Sequence, residues 1–203
     1  MRKLILSSLL LCAALSFTGC PKPDQPPGTG GTGTGGTTGT GGTGGTGGTT
    51  GTSGELVAIT TLEARSGSAI SGSATFTQVG SAVRVVVEVK GATPGEHGLH
   101  VHEVGDCSAP DAKSAGNHFN PGNQAHGSPT ADPHHGGDFG NITVGPDGSA
   151  RLELALAGLT VAAGPSSVVG RSLVLHEKPD DLRTQPSGNS GNRIGCGVIQ
   201  LKQ

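Results

Sequence analysis

The chain is 203 residues long with a formal net charge of −2, and it holds 38 glycines but no tryptophan or tyrosine. So balanced a charge, with only 14% charged residues, excludes the basic footprint of a nucleic-acid binder and any polyanion-seeking patch. Without large aromatics, Val, Leu, Ile and Ala must fill whatever interior the chain builds.

Arg2 and Lys3 open the chain with positive charge, and Leu4 to Phe17 form an apolar run too short for a comfortable membrane span. Thr18-Gly19-Cys20 closes the run with small residues, so 1–19 reads as a signal peptide. The segment resembles the bacterial lipobox, whose cysteine is acylated after cleavage, with Phe17 where leucine is usual. That resemblance implies lipidation at Cys20 and a membrane partner reached through an N-terminal lipid anchor, on the periplasmic or cell-surface side of a bacterial envelope. An ordinary secretory signal cut nearby is the alternative, and either exports the chain. Residues 20–54 continue as a Pro-rich and then Gly/Thr tract with no apolar surface to offset chain entropy, which predicts a disordered tether. As a flexible coil, Gly28 to Gly54 spans roughly 25–30 Å.

One domain remains, 55–203, of ordinary length for a single core. Glu55–Glu63, Ala69–Thr77 and Ala82–Lys90 read as its first three strands, with Val83, Val85, Val87 and Val89 alternating along one face of the third. Gly98–Val104 is the fourth strand, and a long irregular stretch from Gly105 to Asp138 follows. Phe139–Val144, Ala150–Leu156, Arg171–His176 and Ile194–Leu201 supply four more, with Gly145-Pro146-Asp147-Gly148 as a tight turn between two of them. Helical periodicity is confined to a weak Ala-rich turn near Leu156–Ala163. Eight short strands predict an all-β fold, closed or sandwiched.

The long stretch is too long to be structureless without a function. It holds His118, His126, His135 and Asp138, three imidazoles and a carboxylate that would make a sensible tetrahedral shell for zinc. His100 and His102 lie two apart on the fourth strand, where Leu99 and Val101 can enter the core while both imidazoles emerge on the opposite face. His176 ends another apolar strand. Each motif alone has a bland explanation as surface histidine, but of eight histidines only His97 and His134 fall outside the set. Export also changes the cysteine arithmetic: Cys12 lies in the leader and Cys20 would carry lipid, leaving Cys107 and Cys196. Two such thiols outside the cytoplasm more often pair than stay free or bind metal.

Gly98-Leu-His-Val-His-Glu103 with Gly105-Asp-Cys107, Ala115-Gly-Asn-His-Phe-Asn-Pro121, His135-Gly-Gly-Asp-Phe-Gly-Asn141, His176-Glu-Lys-Pro-Asp-Asp181 and Gly191-Asn-Arg-Ile-Gly-Cys-Gly-Val198 together resemble the copper/zinc superoxide dismutases. The resemblance spans the domain from Glu55 onward and implies an eight-stranded antiparallel Greek-key barrel with two long functional loops. It implies copper on His100, His102, His118 and His176, and zinc on His118, His126, His135 and Asp138, with His118 shared as a bridge. It further implies Asp180 as the carboxylate linking His100 to His126, a Cys107–Cys196 disulfide, and Arg193 over the open copper position, guiding superoxide. His97 matches a structural histidine. Only Glu177 to Asn192 separate His176 from Arg193, shorter than the charged guiding loop of the animal enzymes, with Lys178 and Arg183 as its cations. Ser187 stands where the family often has threonine. The family leaves room for a homodimer, but its contacts differ between lineages and no interface is assigned. A non-catalytic copper/zinc-binding module and a β-sandwich with incidental histidines are the competing readings; a metal store would need neither Arg193 nor the shared His118.

Overall fold

The computed structural model of the protein describes residues 55–203. The expected signal peptide, Cys20 and the Gly/Thr tract lie outside the described residues. Nine strands form one antiparallel sheet: β1 (Val57–Ala64), β2 (Ser71–Val79), β3 (Ala82–Lys90), β4 (Gly95–His102), β5 (Asp138–Val144), β6 (Ala150–Ala157), β7 (Ser172–His176), β8 (Arg193–Val198) and the short β9 (Gln200–Leu201). Their spatial order is β5-β4-β7-β8-β1-β2-β3-β6, with β9 also paired to β1. β5 and β6, at the two ends of this path, pack together and nearly close the sheet into a barrel. A sheet so nearly closed leaves little edge for stray pairing.

Side-chain alternation explains the interior. Val83, Val85, Val87 and Val89 on β3 are all buried, facing Ala58 and Leu62 of β1, Phe76 of β2, Leu99 and Val101 of β4, and Leu173 and Leu175 of β7 across one core. Phe76 and Phe139 meet at 6.4 Å between ring centres, where two of the chain's four phenylalanines substitute for larger aromatics. Each of the valine, leucine and phenylalanine side chains contributes about 1.5–3 kcal/mol by leaving water. The Gly145–Gly148 turn joins β5 to β6, closed by the Gly148 N–H donating to the Gly145 carbonyl at 3.0 Å.

One expectation fails. The Ala-rich stretch from Leu156 to Ala163 is not helical: β6 runs to Ala157, the chain turns at Gly158, and Thr160 bridges to Ser167. Leu159 and Val161 both reach the core, a spacing of two that suits extended chain and defeats a helix. The only helical turn among the described residues is a 3-10 turn, Lys113–Ala115.

Two features of the sheet prepare the site. β4 lies between β5 and β7, and its pairing with β5 slips by a bulge between Gly98 and His100, which sets His100 opposite Asp138. Beyond the bulge the 105–137 segment returns along β4: the Phe119 N–H donates to the Val101 carbonyl at 2.8 Å and the Val101 N–H to the Gly137 carbonyl at 2.9 Å. This close crossing demands glycine, because a Cβ on Gly137 would collide with the Val101 carbonyl. Cys107 and Cys196 form a disulfide, Cα–Cα 5.8 Å, that fastens the start of the same segment to β8.

Candidate metal centre

The strand pattern puts Leu99 and Val101 into the core and turns His100 and His102 to the outer face of β4. That face is not solvent, since both imidazoles are buried beneath the 105–137 and 177–192 segments. His118 reaches them through an isolated bridge to His102. His176 comes from the end of β7, and Asp138 from the first position of β5. His126 and His135 are carried by irregular chain. All seven side chains are buried and converge in one place.

They form two groups. One potential ligand atom from each of His100, His102, His118 and His176 lies within 4.8 Å of the others, and the same holds for His118, His126, His135 and Asp138. His118 belongs to both, so the groups share a ring.

The outward nitrogens are already occupied. The His100 Nε2 donates to Asp180 Oδ2 at 2.7 Å and the His126 Nε2 to Asp180 Oδ1 at 3.0 Å, so one carboxylate orients a ring from each group. His102 Nδ1 donates to the Gly116 carbonyl at 2.9 Å, and His176 Nδ1 lies 3.1 Å from the Ser190 hydroxyl. Those bonds fix the tautomers and turn the opposite nitrogens inward as lone pairs. Among the described residues, the buried side-chain polar atoms without a hydrogen-bond partner are Thr60 Oγ1 and six imidazole nitrogens: His100 Nδ1, His102 Nε2, His118 Nε2, His126 Nδ1, His135 Nδ1 and His176 Nε2. Buried polar atoms are rarely left so. Around Asp138 the crowding is sharper. Its Oδ1 lies 2.9, 3.0 and 3.3 Å from Nδ1 of His118, His126 and His135, while its Oδ2 accepts the Gly127 and His135 N–H groups. One carboxylate oxygen crowded by three imidazole nitrogens at such distances makes a ready seat for a cation. The donor set suits two: three imidazoles and a carboxylate match zinc, and an all-imidazole set matches a redox-active borderline ion.

The protonation pattern agrees. Burial, reinforced by neighbouring imidazoles, brings His100 down to about 4 and holds His102 and His176 well below their ordinary value. Burial opposes a charge on His126 as well, but the negative charges of Asp138 and Asp180 on either side of the ring outweigh it and raise it to about 9. Burial works against the charged forms of Asp138 and Asp180 too, yet hydrogen bonds to the histidines and to backbone N–H groups hold both below the usual carboxylate range.

A cavity of about 480 Å³ opens onto the group, lined by His102, His118, His176, Asn117, Ser187 and Arg193 among others. Arg193 is half-buried, and its Nη1 and Nη2 each donate at 2.8 Å, to the carbonyls of Ala112 and Gly116. Gly116 thus holds Arg193 and His102 on a single oxygen. Neither this carbonyl nor the Ser190 hydroxyl was legible in sequence, because a backbone acceptor leaves no side-chain signature and one serine among many in a loop carries no distinguishing spacing. His97 lies outside both groups, its Nδ1 on the His176 carbonyl at 2.8 Å. His134 is on the surface side, 3.3 Å from Asp132.

Comparison with known proteins adds three findings. Residues 70–199 match the family model described as copper/zinc superoxide dismutase (SODC). The chain is 40% identical over 153 residues to the extracellular superoxide dismutase [Cu-Zn] of Brugia pahangi, covering 71% of this chain and 75% of that one. It also superposes on the crystal structure of the clock protein EA4 with a TM-score of 0.66 and 39% identity, over 72% of this chain and 94% of that one.

Proposed function

The chain belongs to the copper/zinc superoxide dismutase family and disproportionates superoxide to dioxygen and hydrogen peroxide, and we propose which of its side chains carry each part of that reaction. His100, His102, His118 and His176 would hold copper; His118, His126, His135 and Asp138 would hold zinc, with His118 common to both. The observation that carries this assignment is the set of six buried, unpartnered imidazole nitrogens aimed inward in two groups.

Bound copper supplies the one-electron oxidation and reduction that zinc, with no redox chemistry, cannot. The protein does the rest. Arg193 receives the anion: its guanidinium is permanently charged, and two of its N–H groups are tied to backbone carbonyls, so the fork is oriented toward the cavity before substrate arrives. Superoxide is small enough to enter this cavity, whose lining includes His102, His118 and His176. His118 is placed to hold and move a proton at Nε2, with Nδ1 facing Asp138 Oδ1 at 2.9 Å to keep the ring in plane. Asp180 fixes the tautomers of His100 and His126 together, so that each presents Nδ1 inward.

The disulfide and the likeness to an extracellular enzyme fit work outside the cytoplasm. We further propose that 1–19 is a signal peptide, that Cys20 carries lipid, and that 20–54 tethers the 55–203 enzyme domain to a bacterial membrane; the order of charged start, apolar run, small residues and Gly/Thr tract supports it. Partitioning into detergent that is lost in Cys20→Ser would bear this out, and equal partitioning would end it.

Metal analysis joined to a superoxide assay tests the catalytic assignment. Arg193→Ala is expected to keep copper and lose rate. His118→Ala is expected to uncouple the two sites, losing activity along with any spectroscopic sign of a shared ligand. Full activity in either variant removes that residue from the mechanism.

A further inference from the structure

Five of the seven converging side chains have backbones held by strand pairing or an isolated bridge, and a sixth, His135, has its backbone held by a turn. His100 pairs with Val174 and His102 with Ser172 on β7, His176 pairs with Arg193, Asp138 pairs with His100, His118 bridges to His102, and the His135 carbonyl accepts the Asp138 N–H. His126 has none of this. Among the described residues its N–H and carbonyl find no backbone hydrogen-bond partner, and it sits in irregular chain. Both groups bond to one side chain instead. The His126 N–H donates to Gln185 Oε1 at 2.8 Å, and Gln185 Nε2 donates to the His126 carbonyl at 2.9 Å. Gln185 Nε2 also reaches the carbonyl of Arg183 at 3.2 Å.

A carboxamide has one acceptor and one donor side by side, the same pair that a neighbouring strand presents. We propose that Gln185 is a positioning residue that takes the place of the missing strand partner at His126, fixing its backbone so that Nδ1 meets the Asp138 group. The inference rests on the reading of His118, His126, His135 and Asp138 as a metal-binding set.

Two further observations support it. The same device recurs nearby: the Asp180 N–H donates to Asn141 Oδ1 at 2.7 Å and Asn141 Nδ2 to the Asp180 carbonyl at 2.9 Å. Asn141 lies on β5, so Asp180 is anchored to the barrel. Asp180 in turn holds the His126 ring through Nε2. His126 is therefore gripped twice by the 177–192 segment, at its ring by Asp180 and at its backbone by Gln185. With one grip alone the imidazole can still pivot; with two, the direction of Nδ1 is set. Gln185 is itself exposed and lines neither metal group, so its bonds have no other evident purpose.

The test uses the full exported chain with its disulfide intact, stripped of metal and titrated with cobalt(II), whose visible bands report tetrahedral binding. Gln185→Leu removes both bonds, and Gln185→Glu keeps only the one accepted from the His126 N–H. Cobalt affinity is expected to fall about 10- to 100-fold in Gln185→Leu, the usual effect of losing a residue that orients a ligand, and by less in Gln185→Glu. The cobalt band envelope should change, while copper uptake by the all-imidazole group stays at the wild-type level. Wild-type affinity and bands in Gln185→Leu would overturn the proposal, as would an equal loss at both sites, which would mark a merely structural role. If the wild-type chain itself gave no tetrahedral cobalt spectrum, the metal assignment would fall, and the inference with it.

Discussion

Two carboxylates flank His126, and they set its proton. Raised to about 9, this ring is a cation near neutral pH, whereas His100, His102 and His176 are neutral because burial lowers them. A metal entering the Asp138 group must displace that proton. Zinc added to metal-free protein at pH 7.5 in dilute buffer should therefore release about one proton per chain, and none in His126→Gln; equal release from both would contradict the assignment. The neutral histidines make a second prediction. Their folded values lie below the ordinary 6.5, to about 4 for His100, so the unfolded chain takes up protons that the folded one refuses. Stability is then complete above pH 6.5 and falls as pH drops toward 4, by roughly 3 kcal/mol for His100 alone. His126 does not offset this loss, since a raised group stabilises fully below 6.5 and gives that up only as pH rises through 9. Asp138 and Asp180, being lowered, contribute above 3.8 and lose it only at stronger acidity. The melting midpoint of the metal-free protein should decline between pH 7 and pH 4.5; a flat profile would mean the rings are not buried neutral. Gly188 is a third sensitive residue. At φ +64°, its missing Cβ leaves room that Asp180 Oδ1 and His126 Nε2 occupy. Gly188→Ala is expected to push Asp180 off His126 and weaken zinc at least tenfold, read by competition with a chelator.

At the scale of strands and segments, the disulfide governs how Arg193 is presented. Cys107 opens the segment whose Ala112 and Gly116 carbonyls hold the guanidinium, and the Cys107 carbonyl accepts Arg65 Nε at 2.9 Å. Replacing both cysteines by serine releases a loop of 89 residues, worth about 4–5 kcal/mol on the chain-entropy account. The midpoint of unfolding should drop by about 10 °C, and catalysis should fall more than metal content does. Equal falls would mean that Arg193 is positioned without the disulfide. Legibility in the sequence followed the same division. β3 is read in full because its valines alternate without interruption, and β6 because a Gly-Pro-Asp-Gly turn marks its start. The Leu156–Ala163 stretch misleads, since alanine favours helix while Leu159 and Val161 keep a spacing of two. His100 and His102 were expected on an outer face, and they are; that the face is buried depends on two covering segments with no periodicity to read. Asp180 and Arg193 followed only from the family resemblance, whereas the histidines and Asp138 could be picked out from the residues alone. Carbonyls such as that of Gly116, and the amide of Gln185, could not, because their work depends on where folding delivers them.

For the molecule as a whole, the question is how an anion finds one half-buried arginine on a protein that offers it little long-range attraction. The chain carries a net charge of −2, so the global field does not draw superoxide in. Among the described residues, Arg193 is the cation lining the cavity, and Glu103 lines it too. The 177–192 segment adds only Lys178 and Arg183, both exposed. Charges in water act over about 10 Å at 0.1 M salt, so attraction here is confined to the last approach, inside the cavity where screening is weak. Strong steering multiplies encounter rates by about 10–10³ and fails steeply with salt; a site relying on capture at the mouth has little of that to lose. The second-order rate constant should therefore fall by less than about tenfold between 10 mM and 0.5 M salt, measured by pulse radiolysis at constant pH. Adding a lysine at the rim, as in Ser187→Lys, should raise the low-salt rate and make it steeply salt-dependent. A steep salt dependence in the wild-type chain would show that charges beyond the cavity guide the substrate after all.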